Sequence, residues 1–574
     1  MIPPLLKQLE QLKRKFGPRE AKKIEEALKR LPNVKLHDAG LLIRLHEMLL
    51  FLRAYPQTPA IARAAETQLQ AFAKRVSFLR SKDADLSPLD NPEVSGIAGT
   101  AVTDTFNYHI VNWLLRRHPS QLAFDWEWFE DENRLAEAWP RFMPLLEEDA
   151  FVEANVPYRE WLRAARGRRS EVQWLIERFN DLTLSSEQKA ELYDSQKLYV
   201  RWTPGFRATR TGMRVPLQKL FYHQEPLLQR RDVRFTEELE KPPPPMRKLS
   251  TKQGEAAIDI AREASTIRYR ELYGFTHGDP KRVYKTDLGR GVELFVIDLP
   301  PEKRLPLRAY HAAMIYKNGV PIGYFEGLSL FERMESGFNL YYTFREGETA
   351  WLYARTLNVM RCHAGVTAFS LDPYQIGFGN EEGIESGAFW FYRKLGFRPT
   401  RPALFRLTEK EELRISKSKR YRTSSETLRK LAEGPMILQL NKQQKGDWDR
   451  FQLRNIGLAV QRRMSGEFGG DAERMRAAAV RRVEQTLGVG AASFNNTQLR
   501  IFSDFAVVLS LVSDLKRWSA EDKQQLFRII RAKADADETR YLKEMQQHVR
   551  LRKEMIKLGS WKKSQSADSA VYTD

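Results

Sequence analysis

Between residues 292 and 344 the hydrophobic pattern switches to runs that suit strands, and this constrains the fold more than any other feature. VELFVIDL (292–299) and HAAMIY (311–316) are rich in β-branched and aromatic residues. Lys317-Asn318-Gly319-Val320 follows, and Asn-Gly is the pair that tolerates the left-handed backbone of a two-residue hairpin. PIGYFEGLSLF (321–331) and SGFNLYYTF (336–344) carry the pattern onward. A helix over 255–273, with Ile258, Ala261, Ala264 and Ile267 on one side, precedes this meander. After it come a helix over 345–363, a strand VTAFSLD (366–372), a glycine-rich loop with a helix (377–399), and a strand ALFRLT (403–408). The order predicts an α+β chain with a mixed, largely antiparallel sheet domain over 250–410.

Helical regions are expected on both sides. In residues 1–240, Ile24, Ala27, Leu28 and Leu31 mark an amphipathic helix. Residues 41–52 are apolar nearly all round and predict a buried helix; a third spans 59–79, and 91–102 reads as loop. Four consecutive prolines at 242–245 predict a stiff, extended linker over 241–249. Residues 411–423 read as a basic tether, and Thr423 to Glu426 as a capping box opening a helical domain over 424–558. The tail, 559–574, has a disordered composition.

A formal net charge of +20 favours anionic partners, nucleic acid among them, without specifying a fold. Cys362 is the single cysteine, which excludes an intrachain disulfide and a cysteine zinc cage. The nine histidines are scattered and none forms HExxH, so no metal site is expected. The start MIPPLLKQLEQLKRK lacks an apolar signal core, and no run of about 18 apolar residues occurs; a cytoplasmic protein without a transmembrane segment is expected. Asp125 and Glu127, in FDWEWFEDE (124–132), read as an acidic edge over buried rings or as a carboxylate dyad. RWTPGFRATRTGMR (201–214) reads as a loop packed on the next domain, or as a nucleic-acid contact of arginines and aromatics. Cys362 and His363 point about 100° apart on a helix and do not make a nucleophile–base pair; His363 suits the helix C-terminus as a dipole partner.

The sharpest motif is AFWFYRKLGF, residues 388–397. Ala388, Tyr392 and Leu395 share a helix face, and Gly396 is placed for a left-handed stop. A tyrosine on an apolar face needs either a partner or a task.

Together with the element order, this A-x-x-x-Y-x-x-x-G-F helix resembles the GNAT superfamily of acyl-CoA-dependent N-acyltransferases. The resemblance covers less than a third of the chain, about 310–400. It implies that the strands near 337–344 and 366–372 splay to admit acetyl-CoA or another acyl-CoA, and that an amine is the acceptor. By resemblance, Tyr392 protonates the departing thiolate, and Tyr341 and Tyr342 lie on the strand that pairs with the pantetheine arm. Arg345, Gly347 and Thr349 fall in the pyrophosphate loop before the helix, where Phe344 and Thr349 depart from the family pattern. Asn380 stands in for an asparagine whose usual position holds Glu385. Glu326, on a central strand, is the candidate base, with a surface carboxylate as the other reading. The loop at 344–349 is also consistent with a plain helix start, and Tyr392 with a core tyrosine. The alternative function is a catalytically inactive, basic scaffold for nucleic acid or another anionic partner.

Overall fold

The computed structural model describes residues 3–34, 36–129, 132–143, 158–418, 420–488 and 494–560. Its organising feature is one open sheet of nine strands, mostly antiparallel, in a mixed α/β chain. In chain order these are β1 (Met246–Lys248), β2 (Val283–Gly289), β3 (Val292–Asp298), β4 (Ala309–Lys317), β5 (Val320–Leu330), β6 (Arg333–Leu340), β7 (Ala368–Leu371), β8 (Arg398–Pro399) and β9 (Met436–Gln439). Across the sheet they run β8-β9-β7-β6-β5-β4-β3-β2-β1. Only β6 and β7 are parallel. The helix α1 (Thr251–Thr266) links β1 to the meander, α2 (Thr349–Ala364) crosses from β6 to β7, and α3 (Ala388–Lys394) precedes β8.

The hairpin forms where Asn-Gly stands: Asn318 has φ 48° and Gly319 φ 76°, and Lys317 pairs with Val320. Every residue of β4 is buried, because helical layers cover both sheet faces. Phe338 of β6 meets Tyr353 of α2 on one face. Tyr324 of β5 meets Phe275, in the short helix Tyr273–Thr276, on the other. The 377–399 stretch folds as expected: α3 ends at Gly396 (φ 104°), and the Phe397 N–H donates back to the Tyr392 carbonyl.

Five expectations need correction. Residues 403–408 are not a strand but part of the helix Pro402–Lys417, since Leu404, Thr408 and Glu411 are buried at helical spacing and Pro402 opens the first turn. The strand that fills the sheet instead is β9, beyond the expected domain end at 410, inserted between β7 and β8. The expected tether 411–423 begins as the end of that same helix. The expected linker 241–249 is no free spacer: β1 lies within it as an edge strand, and Asn358 donates to the Leu239 and Lys241 carbonyls. The expected helix 59–79 is two helices, Pro59–Gln70 and Phe72–Arg80.

The flanking regions are not walled off from the sheet, because one continuous apolar cluster runs from Leu6 to Met555. At the N-terminal side, the helix Ala39–Ala54 is buried nearly all round, as its composition predicts. Residues 1–240 also hold a small sheet of Val102–Asp104, Leu122–Phe124 and Val200–Trp202. At the C-terminal side, Glu332 accepts from Trp448 Nε1 at 2.7 Å and Arg552 Nε at 2.9 Å, clamping late helices to the β5–β6 turn. Glu127 is exposed beside the buried Phe129, which fits the acidic-edge reading; of its stretch, residues 130–131 lie outside those described. Arg210 is buried against Glu47 (2.9 Å), so it serves internal packing, and Arg214 is exposed and pairs with Glu66 (2.7 Å). The proposed disordered tail lies outside the described residues from 561 onward. No helix among the described residues is long and apolar enough to cross a membrane.

Two buried histidines make the fold acid-sensitive. His46 is fully buried between Thr211 and Glu47, and burial, its leading cause, lowers its pKa to about 4. His223 is also buried, and desolvation with the Lys317 and Arg290 charges lowers it to about 2. Both folded-state values lie below the unfolded value near 6.5, so their stabilisation is complete above that pH and is lost as pH falls below it. Urea unfolding at pH 5 is expected to show about 2 kcal/mol less stability per histidine than at pH 7.5. An unchanged midpoint would contradict their neutral burial.

Candidate functional site

Beside the parallel partner β7, which ends at Leu371, the longer β6 keeps a free edge. The ladder between them spans three residue pairs, Arg333↔Ala368, Met334↔Phe369 and Glu335↔Ser370. β6 then runs on to Leu340 with its ladder on the β5 side alone. A side chain meets this edge: Gln375 Nε2 donates to the Phe338 carbonyl and to the Tyr392 hydroxyl, both at 3.0 Å. An amide thus satisfies a carbonyl that a neighbouring strand would otherwise pair.

A cavity of about 460 Å³ lies along this edge, within the usual range for a small-molecule site. One wall is Phe338, Asn339 and Leu340 of β6; another is Ala388, Phe391 and Tyr392 of α3. Gly347, Thr349 and Ala350, at the start of α2, form the end wall. The N-cap residue of this 16-residue helix, Glu348, makes no side-chain cap, and the carboxylates that line the cavity are Glu346 and Glu382. Arg14, Arg230 and Arg345 also line the space.

The two acidic residues of this loop are spent elsewhere. Glu348 is buried; its carboxylate takes Arg290 Nε at 2.8 Å and the Leu228 N–H at 3.1 Å, with Lys317 Nζ at 3.7 Å. Glu346 binds Lys13 at 2.6 Å and Arg14 at 3.5 Å, at the end of the first helix, Pro4–Leu12. The Thr349 hydroxyl donates to the Arg345 carbonyl, closing the loop at 2.9 Å. Arg345 pairs with Glu382 and lies 3.6 Å from Glu93. Glu93, desolvated and hydrogen-bonded to Glu382, titrates above the usual range. Glu382 is desolvated too, but its bond from Glu93 and the Arg345 charge hold it below.

Gly347 is fixed by space. A methyl there would fall on the Tyr55 hydroxyl and lie 2.9 Å from the Phe344 carbonyl. Gly347→Ala is expected to cost roughly 1–3 kcal/mol through overpacking, read as a drop in the urea midpoint. A neutral result would mean that the loop has room to move.

Tyr392 is buried, with its ring edge-on to Tyr353 and Phe397. Burial raises its pKa well above the usual phenol value, against the Gln375 bond, so it carries its proton. Of the residues singled out in the sequence, the structure gathers Tyr392, Arg345, Gly347, Thr349 and Asn380 around one cavity. Asn380 caps the short helix Glu381–Glu385 and holds the Tyr374 carbonyl at 3.0 Å, so it shapes the loop.

Tyr341, Tyr342 and Glu326 are not brought there. Tyr341 is buried beneath the Arg268 guanidinium, 3.7 Å from its ring. Tyr342 lies past the end of β6 and is exposed. Glu326 alternates with Phe325 along β5, so it faces the layer opposite α2, where the Tyr310 hydroxyl donates to it. The reading of Glu326 as a base beside Tyr392 is therefore corrected: the pleat turns it to the other face. Gln375, Arg14, Arg230 and Glu382 are the site residues that sequence reading misses. Glu382 stands next to the expected asparagine loop, but nothing local marks the other three.

Compared with known protein families, curated proteins and solved structures, the chain gives no match.

Proposed function

We propose that this chain is an N-acyltransferase that moves an acyl group from acyl-CoA, acetyl-CoA being the simplest donor, to an amine. The observation that carries the reading is the free edge of β6 beyond Glu335, where β7 ends at Leu371, with a cavity between the start of α2 and the Tyr392 hydroxyl. The element order and the AFWFYRKLGF helix, which resemble the GNAT superfamily, support it from the sequence side. An extended pantetheine arm would pair with the β6 edge after displacing Gln375, and the diphosphate would lie at the α2 N-terminus among Arg14, Arg230 and Arg345.

In the reaction, the neutral amine attacks the thioester carbonyl and a C–N bond forms. Backbone N–H groups of the free β6 edge stabilise the oxyanion. The C–S bond breaks, the thiolate takes the Tyr392 phenol proton, and the proton lost by the amine returns through water to the Tyr392 phenolate, restoring the acid. A phenol kept neutral by burial meets that need, because it donates to sulfur without placing a charge in the empty site. The test is loss of thioester absorbance when the protein is incubated with acetyl-CoA and a panel of primary amines. Amine-dependent loss is expected; background hydrolysis alone across the panel would oppose the reading.

One observation favours a second reading. Gln375 already holds both Phe338 and Tyr392, the two groups the transferase needs free, and the chain has a formal net charge of +20. A basic scaffold without catalysis would bind nucleic acid or another anionic partner with strong salt dependence. Retention of the protein on immobilised RNA or DNA that persists at 0.5 M salt would count against that scaffold.

A further inference from the structure

A second polar cluster lies away from the cavity, where the last turn of α2 meets β3 and β4. Asp298 ends β3, His311 lies on β4 directly across from it in the ladder, and His363 is the next-to-last residue of α2. One donor atom from each lies within 4.8 Å of the other two. Asp298 and His311 are 1% and 0% exposed, and their facing atoms, Oδ1 and Nδ1, are 3.0 Å apart. The His311 and His363 rings approach edge to face, 5.5 Å between centroids.

The cluster is not satisfied by its own hydrogen bonds. Asp298 Oδ2, His311 Nε2 and His363 Nε2 are all buried without a partner. Three orphaned polar atoms in one cluster are costly, and each requires an account. Nearby cations do not provide one. Lys533 is held by Glu538 and the Arg308 carbonyl, and Arg304 by the carbonyls of Lys533, Asp535 and Ala536. With Glu538 and Asp298 opposing Lys533 and Arg304, the surroundings do not impose a net positive charge. His363 lies in the last turn of α2, whose C-terminal dipole end favours a cation.

We propose that Asp298, His311 and His363 form a binding site for one divalent transition-metal ion, with zinc the best match. Two imidazoles and one carboxylate are a borderline N/O set that suits zinc and is too nitrogen-rich for magnesium or calcium. Two ligands at about 2.1 Å from one ion, roughly 90–100° apart, lie about 3 Å from each other, which is the spacing of Asp298 Oδ1 and His311 Nδ1, so the ion would take the place of their hydrogen bond, with the unpartnered His363 Nε2 as the third donor. Small rotations of His363 then bring the third donor inward. The ion would fasten the end of α2 to the sheet, a structural role separate from the cavity. Sequence reading misses the site because the three residues are spread over positions 298 to 363 with no recognisable spacing.

The test is titration calorimetry of the full-length, chelator-treated protein with zinc chloride, with a parallel titration of cobalt followed by its visible spectrum. The expected result is one zinc per chain, at least ~100-fold weaker binding in His363→Gln, and unchanged binding in the control His109→Gln. Zinc should raise the melting temperature of the wild type and not that of His363→Gln. Absence of one-to-one binding, or equal affinity in wild type and His363→Gln, would overturn the proposal and leave a hydrogen-bonded cluster only. If His363→Gln does not fold, the cobalt spectrum of the wild type decides. Intense visible bands of a low-coordinate N/O site support the proposal, and the weak spectrum of hydrated cobalt refutes it. None of these readouts depends on acyltransferase activity.

Discussion

Replacing Tyr392 with Phe is expected to lower acetyl-CoA-dependent turnover by about 100-fold while leaving the Kd for acetyl-CoA within about twofold. The asymmetry follows from where the hydroxyl acts. In the ground state it meets, among the described residues, the Gln375 amide, so removing it costs one hydrogen bond that solvent or ligand can replace. In the proposed transition state it is the proton source for the thiolate, and among the described residues no other phenol lines the cavity. The ring packing against Tyr353 and Phe397 is kept in the variant, so its melting temperature should move little. Equal losses of affinity and turnover would instead mark Tyr392 as a core residue whose removal deforms the wall. Gln375→Ala separates the roles further, because it frees both the Phe338 carbonyl and Tyr392 and is expected to tighten acyl-CoA binding.

The second large effect is expected at Glu348. Its carboxylate is buried and takes Arg290, Lys317 and the Leu228 N–H, joining the start of α2 to the β4–β5 hairpin and to residue 228. Glu348→Ala leaves two cations in a space that burial already disfavours; Lys317, through desolvation above all, is pulled down to about 7 even with the carboxylate present. Losing one partner of a buried ion pair typically costs about 3–5 kcal/mol, and urea unfolding should show a loss of that size. Because the same residue fixes the loop that faces the cavity, acyl-CoA affinity should fall with it. A loss under about 1 kcal/mol would mean that the backbone alone holds this loop.

What the sequence made legible followed strong local chemistry. The Asn318-Gly319 turn, the strands around it and the Gly396 stop all occur where residue type alone demands them. The 403–408 segment was misread because a short apolar run does not reveal its period; Pro402 and the four-residue step from Leu404 to Thr408 carried the helix. β9 could not be read as part of the sheet because its partners, β7 and β8, precede it by tens of residues. The cavity divides the same way. Tyr392, Gly347 and Arg345 lie in local motifs, whereas Arg14 and Arg230 reach the site only through tertiary packing. Glu326 failed on a single register step, since a strand neighbour one residue away would have faced α2.

The measurement that tests the central claim most directly is calorimetric titration of the full-length protein with acetyl-CoA, repeated in the presence of CoA. The account predicts saturable one-site binding, competition by CoA, and weakening when Arg345 is replaced by Ala. No heat at several hundred micromolar acetyl-CoA, with the protein folded by circular dichroism, would contradict it.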